Sequence, residues 1–230
     1  MNNFFETFGS RPVFLPVIHV TNATQALENA KIAAGSGADG VFIIDHGTVT
    51  NPDRLVKAGE VLMKHLPSLW VGLNFLDLGL GGIHFMPPGT RGLWVDESGI
   101  TEDGPNVSAI RFQATQERLR WSGLYFGSIA FKYQPEVNDL AKAARAAMPF
   151  VDIITTSGKR TGEPPTVEKM RTMREAVGVH PLAIASGMSS ENVEEYLPYT
   201  NCFLVATEIS HSFTMLDPAK ALGFAKRLGK

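Results

Sequence analysis

One cysteine, Cys202, stands in a chain of 230 residues, inside an apolar run. A lone cysteine excludes an internal disulfide framework and suits a reducing compartment, with buried strand packing as its expected role. Charge imbalance is missing too. Lys+Arg 21 against Asp+Glu 23 leaves −2, so nothing in the overall charge favours nucleic acid or an anionic membrane as a partner. No apolar run reaches the roughly 18 residues a spanning helix needs. The N-terminus, MNNFFETFGSRP, has neither a basic n-region nor a long apolar h-region. GxSxG, HExxH and CxxC are all absent. The expectation is a cytoplasmic protein with no membrane insertion.

What is present is an alternation. Short apolar runs occupy residues 13–20, 40–44, 69–73, 92–95, 124–131, 151–155, 182–185 and 202–206, each long enough for a buried parallel strand. Helix-patterned segments separate them. Asn22 reads as an N-cap, with Gln25 where a capping box requires it. Asn51 before Pro52, Ser189, and Asp217 before Pro218 mark further helix starts. After Pro135, apolar residues at Val137, Leu140, Ala141, Ala144 and Met148 fall on one helical face. The segment 107–119 is only weakly periodic, and Gly79, Gly81 and Gly82 read as a mobile loop, a candidate lid. Eight such units in 230 residues predict a single-domain α/β chain, a (β/α)8 TIM barrel over residues 13–230. Residues 1–12 form a lead-in that covers the barrel base or serves an interface, which leaves a homo-oligomer open. The competing fold, an open doubly wound sheet, would carry a glycine fingerprint after its first strand, and HVTNATQ is not one.

In such barrels the C-terminal strand ends carry the site. Here they read His19, Asp45 with His46, Asn74, Asp96, Lys132, Thr155 with Thr156, Ser186 with Gly187, and Ala206 with Thr207. The first five ends bear titratable or amide groups, whereas the last three bear small hydroxyl residues and glycine. Chemistry is therefore expected on one half of the mouth and an anion clamp on the other. Asp45 and Asp96 are candidate bases if burial raises their pKa, with helix capping or an ion pair to Lys132 as the plain alternative. His46 is a further acid–base candidate, and Lys132 an electrostatic partner or, less favoured, an imine-forming amine. His19, Asn74, Thr155 and Thr156 are candidate substrate contacts. Ser157, Gly158, Ser186, Gly187, Thr207 and Ser210 are candidate phosphate contacts through backbone amides, backed by Lys159, Arg160 and the positive end of a helix starting near Ser189. The plain alternative is that the Ser-Gly pairs are strand-to-helix turns that need glycine conformations. His19, Asp45, His46 and Asp96 include metal-ligating types, yet the first strand offers only one histidine, so neither a metal nor another cofactor is indicated.

The segments PVIHV, ADGVFIIDHG, VGLNFL, LWVDESG, AFKYQ, DIITTSGKRTG and PLAIASGMSSENV, in this order and spacing, resemble the BtpA family. The resemblance runs over nearly the whole chain. It implies a (β/α)8 barrel of the ribulose-phosphate-binding kind, with a phosphate site at Ser157–Gly158, Ser186–Gly187 and Thr207. The family name refers to photosystem I stability in cyanobacteria, and other members look like sugar-metabolism or nucleoside-related proteins. ATEIS departs from the phosphate-binding pattern, because Glu208 stands where Gly or Ser is usual. The expected function is an enzyme acting on a small phosphorylated metabolite, a sugar phosphate or a ribosyl or nucleotide-like compound, by general acid–base chemistry of the isomerase or lyase type, with the phosphate held by the loops after strands six to eight. The alternatives are a non-catalytic assembly or stability factor and a nucleosidase-like hydrolase.

Overall fold

Alternation within each apolar run sets the architecture. In the computed structural model, which describes residues 3–46 and 52–230, eight parallel strands bond into a closed ring. They are β1 (Val13–His19), β2 (Gly40–Ile44), β3 (Trp70–Asn74), β4 (Gly92–Val95), β5 (Leu124–Ser128), β6 (Ile153–Thr156), β7 (Leu182–Ala185) and β8 (Cys202–Val205). Each strand pairs with its sequence neighbours, and β1 closes on β8 with Val13 opposite Cys202. Val17, Phe42, Trp70, Trp94, Phe126 and Ile153 point into the ring, while the residues between them pack against the helices.

The interior is aromatic. Phe42 meets Trp70, Trp94 and Phe126 edge-on, with centroids 5.2, 5.7 and 4.9 Å apart. Glycines make the room. A Cβ on Gly72 would come within 2.3 Å of the Phe42 ring, and one on Gly92 within 2.2 Å of the Trp70 ring. Helix α1 (Asn3–Phe8) packs at the N-terminal end of the ring, with Phe4 wholly buried and Phe8 against Trp70 at 5.4 Å.

Around the ring lie α2 (Ala23–Gly35), α3 (Asp53–His65), α4 (Val107–Leu119), α5 (Leu140–Ala147), α6 (Val167–Val177), α7 (Val193–Tyr196) and α8 (Pro218–Arg227). Asn22 caps α2 through the Gln25 amide, but the Gln25 side chain takes the N–H of Thr21 rather than that of Asn22, so the capping box is only half formed. Asp217 caps α8 by accepting from Ala219 and Lys220. The expected cap at Asn51 lies outside the described residues.

Three expectations need correction. The β3–β4 connection, expected to be irregular, is 3-10 over Leu76–Phe85 with a break at Gly79 (φ 49°), and Gly82 is buried so tightly on Phe75 that a Cβ would sit 2.5 Å from its ring. The helix expected from Ser189 is a single turn that begins only at Val193. The Ser189 hydroxyl takes the N–H groups of Glu191 and Asn192 at 3.3 Å in the turn before it. The fifth strand stops at Ser128, because Ala130 and Tyr133 adopt φ of 47° and 62°, which no strand allows.

Phe4→Ala should cost about 3 kcal/mol in urea unfolding, since it empties a wholly buried aromatic site. A loss under about 1 kcal/mol would mean that α1 is not part of the core.

Candidate functional site

Carrying the alternation one step past each strand sorts the strand-end residues into two sets. His19, His46, Asn74, Asp96, Thr155 and Ser157 share the inward phase of Val17, Ile44, Trp70, Trp94 and Ile153. Asp45, Thr156 and Ser186 share the outward phase of Ile43, Ile154 and Ile184.

The outward set is engaged elsewhere. Asp45 turns to α3, where the Arg54 guanidinium grips both its oxygens, Nε donating to Oδ2 at 2.7 Å. That pair occupies both carboxylate oxygens of Asp45. Thr156 donates its hydroxyl to the carbonyls of Ile129 and Ala130 at 2.9 and 3.3 Å and so pins the end of β5. The Ser186 hydroxyl accepts the Gly162 N–H at 2.9 Å.

Asp96 is the centre of the inward set. Asn74, buried at the end of β3, donates to its Oδ1 at 2.9 Å, and Gln134 donates to its carbonyl. Burial raises the Asp96 carboxyl above its ordinary 3.8, against the opposing pull of Asn74, Lys132 and His46. Lys132 lies close enough to act on Asp96, His19 and His46 electrostatically, and its ammonium stands 5.3 Å from the Phe131 ring centre. It forms no ion pair with Asp96 among the described residues, so the plain alternative of a Lys132–Asp96 pair is not what the structure shows. His19 is pushed down to about 4, chiefly by burial and then by His46 and Lys132. His46 is lowered by burial and Lys132, while Asp45, Asp96 and Asp77 pull the other way. Both imidazoles are therefore neutral at pH 7. Thr155 is wholly buried, and its hydroxyl has no partner among the described residues, nor has the His19 Nδ1.

Lys132 sits in a strained turn. Ala130 and Tyr133 on either side of it have left-handed backbones, unusual without glycine. Several bonds hold the turn. The Lys132 N–H donates to the Ser157 hydroxyl at 2.8 Å, and the Gln134 N–H donates to the Phe131 carbonyl at 3.2 Å. From α6, Lys169 donates to the carbonyls of Ala130 and Ser157, at 2.5 and 2.8 Å. Burial brings Lys169 down to about 8, so it still carries its proton at pH 7. Gln134 and Lys169 went unnoticed in the sequence because each acts across a gap of more than thirty positions on a backbone carbonyl. Phe213 was missed as well. It lies at the tip of the hairpin Ser210–Ser212 and Met215–Leu216 and stacks on His19 with centroids 4.2 Å apart.

The expected anion clamp is altered. Gly158 and Gly187 are needed by the chain itself: the backbone of Glu163 and Pro164 crosses within 2.3 Å of a Cβ on Gly158 and 2.1 Å of one on Gly187. Lys159 pairs with Glu136 and Arg160 with Glu163, all on the surface. The Ser210 hydroxyl is spent on the Ala206 carbonyl at 2.7 Å. Thr207 and Glu208 are both exposed, in a 3-10 turn. The Ser157 hydroxyl is wholly buried and engaged, accepting from the Lys132 N–H and donating to the Gly158 carbonyl at 2.9 Å, so what stays of the clamp is the backbone of these loops. Among the described residues no three His, Cys, Asp or Glu side chains gather to hold a metal ion. None of the helices there is long and apolar enough to cross a membrane.

Residues 116–228, from within α4 to the end of α8, match a known family. The family is BtpA. The BtpA match covers Lys132, Thr155 and the loops after β6, β7 and β8, and stops short of His19, His46, Asn74 and Asp96. No curated protein matches the sequence. Among solved structures, the (S)-3-O-geranylgeranylglyceryl phosphate synthase of Thermoplasma acidophilum superposes with a TM-score of 0.71 at 12% identity, covering 98% of this chain and 96% of its own. The phosphoribosyl anthranilate isomerase of Thermus thermophilus gives 0.67 at 14%, over 95% and 98%. The 2-keto-3-deoxy-6-phosphogluconate aldolase of Zymomonas mobilis gives 0.67 at 13%, over 99% and 95%. At these identities the likeness shows the TIM-barrel fold.

Two measurements follow from the burial of the mouth. Because folding raises the Asp96 pKa, its favourable contribution exists only below the ordinary 3.8 and is lost as pH rises through the folded value. Asp96→Asn should therefore be more stable than the parent at pH 7, with the gap closing toward pH 4; a less stable variant at pH 7 would contradict this burial. His19 has the opposite sign: its contribution is complete above 6.5 and is lost as pH falls through about 4. His19→Gln should flatten the loss of stability between those pH values.

Proposed function

We propose that this protein is an enzyme acting on a small phosphorylated metabolite by general acid–base chemistry of the isomerase or lyase type. The observation that carries the reading is Asp96: an inward carboxylate with a raised pKa, aligned by Asn74 and flanked by Lys132. A carboxylate made more basic by burial, beside a cation, can take a proton from a carbon next to a carbonyl. Asp96 is the base in this reading and returns the proton to the neighbouring carbon or to a leaving group. Lys132 stabilises the oxygen on which charge develops, its position set before substrate arrives by the strained turn around it. His46, neutral at pH 7, is within electrostatic reach of both and serves as a second acid–base group. His19, Asn74 and the unpartnered Thr155 hydroxyl orient the substrate.

The phosphate half rests on two supports. The amides of Gly158, Gly187 and Met188 have no protein acceptor among the described residues, as an anion-binding backbone would require, although Gly158 and Met188 are buried and the chain at Glu163 and Pro164 crosses close over Gly158 and Gly187. The structural neighbours are TIM-barrel enzymes named for phosphorylated compounds: a glyceryl phosphate synthase with sn-glycerol-1-phosphate, a phosphogluconate aldolase with 3-phosphoglycerate and a phosphoribosyl isomerase. Those names support a phosphorylated substrate here, with its phosphate toward β6 and β7 and its reacting carbon at Asp96.

The test begins with a thermal-shift panel of phosphorylated sugars and their unphosphorylated counterparts. A ligand at a hundred times its Kd adds about 2.7 kcal/mol of stability. With the responding compound as substrate, Asp96→Asn should lower kcat by about 10²- to 10⁴-fold. Asp45→Asn, whose partner is Arg54, should leave kcat within about threefold. A flat panel on folded protein would turn the choice to a non-catalytic assembly factor. Full activity in Asp96→Asn would remove Asp96 from the chemistry.

A further inference from the structure

The mouth has one feature that acid–base chemistry does not use. Phe213 is 63% exposed, yet it is held in place. Its hairpin is tied to α2 by Asn29, wholly buried, which donates to the Thr214 carbonyl at 2.9 Å and accepts from the Leu216 N–H at 2.7 Å. Gln25 bonds to the same Thr214 carbonyl at 2.5 Å and to the His19 carbonyl at 3.0 Å, joining the hairpin to the end of β1. An exposed phenyl ring fixed by a buried amide is pre-organised for contact.

Three rings then make one wall. Phe213 stacks on His19 with an interplanar angle of 27°, His46 meets Phe213 edge-on at 5.4 Å, and His19 and His46 lie 4.8 Å apart. In the ring order β1-β8-β7-β6-β5-β4-β3-β2, β5 lies four places from β1, and β6 four places from β2. The aromatic wall therefore faces Lys132 and Ser157 directly across the mouth, with Asp96 on the rim between them. One rim presents flat, uncharged π surface, and the opposite rim carries the Lys132 cation beside backbone amides that have no acceptor among the described residues.

We propose that the substrate is bipartite, a phosphorylated sugar bearing a planar heteroaromatic ring, with the ring stacked on Phe213 and the phosphate toward β5 to β7. This deepens the reading above and rests on it for the phosphate. A sugar phosphate alone would leave Phe213 in water, and base stacking on an aromatic side chain is tolerant of which base is offered.

Calorimetric titration with four probe sets tests the proposal: inorganic phosphate, ribose 5-phosphate with glucose 6-phosphate, the four nucleoside 5′-monophosphates, and the unphosphorylated nucleosides. At least one monophosphate should bind about tenfold more tightly than ribose 5-phosphate. Phe213→Leu should abolish that advantage and leave ribose 5-phosphate within about twofold, while Phe213→Trp keeps it. If either sugar phosphate binds as tightly as every nucleotide, or if Phe213→Leu weakens all probes equally, the ring-binding wall is overturned and the phosphate site stands. If nucleosides bind with full affinity and phosphate adds nothing, the wall stands and the phosphate reading falls. Binding by none of the probes overturns both.

Discussion

Everything at the mouth depends on how the barrel is filled. Trp70, Phe42, Trp94 and Phe126 occupy an interior that only small facing residues can admit, and Gly72 and Gly92 provide the space. Close packing of this kind leaves little freedom of register, because a slip of one residue would turn the aromatic set outward and the polar strand ends inward-for-outward with it. The same alternation that buries Trp94 presents Asp96 to the mouth, and the one that buries Ile44 presents His46. Core packing and site composition are thus one constraint read at two heights of the barrel.

A second constraint is local and costly. Left-handed residues such as Ala130 and Tyr133 store about 1–3 kcal/mol each. They persist because Thr156 and Ser157 at the end of β6 and Lys169 of α6 hold the turn, while Gln134 within it bonds to the Asp96 carbonyl. Lys169 is half-buried with no carboxylate bonded to its ammonium among the described residues, which works against the fold at neutral pH; its two carbonyl bonds offset that cost. The result is a lysine, Lys132, whose backbone is fixed while its side chain stays available. Burial of Asp96 likewise opposes stability at pH 7. Such local conflicts concentrate where a protein gives up stability for chemistry.

Much of the barrel was legible because its signals are local. Gly40–Ile44, Gly92–Val95 and Leu182–Ala185 stand where their apolar runs stand, and Asn22 and Asp217 cap the helices that follow them. The elements that escaped depend on distant partners. The 3-10 segment Leu76–Phe85 looks loose in sequence, yet Phe75 packs against Gly82 and closes it. Glycines 158 and 187 look like an anion motif but also admit Glu163 and Pro164, a close approach that no spacing announces.

The sequence by itself determined the strand–helix alternation, the absence of a cysteine or charge framework, and which residue types stand at the strand ends. Periodicity of burial is written residue by residue, so it can be read without a partner. Only the tertiary structure decided which strand-end groups share the mouth. Asp45 and Asp96 are alike in sequence, one residue past an apolar run, but Arg54 claims the first while Asn74 aligns the second. Phe213 was an ordinary loop residue until Asn29, 184 positions earlier, fixed its hairpin over His19. A side chain's role depends on phase around the barrel and on partners brought close by closure, and neither quantity exists until the ring of strands is complete.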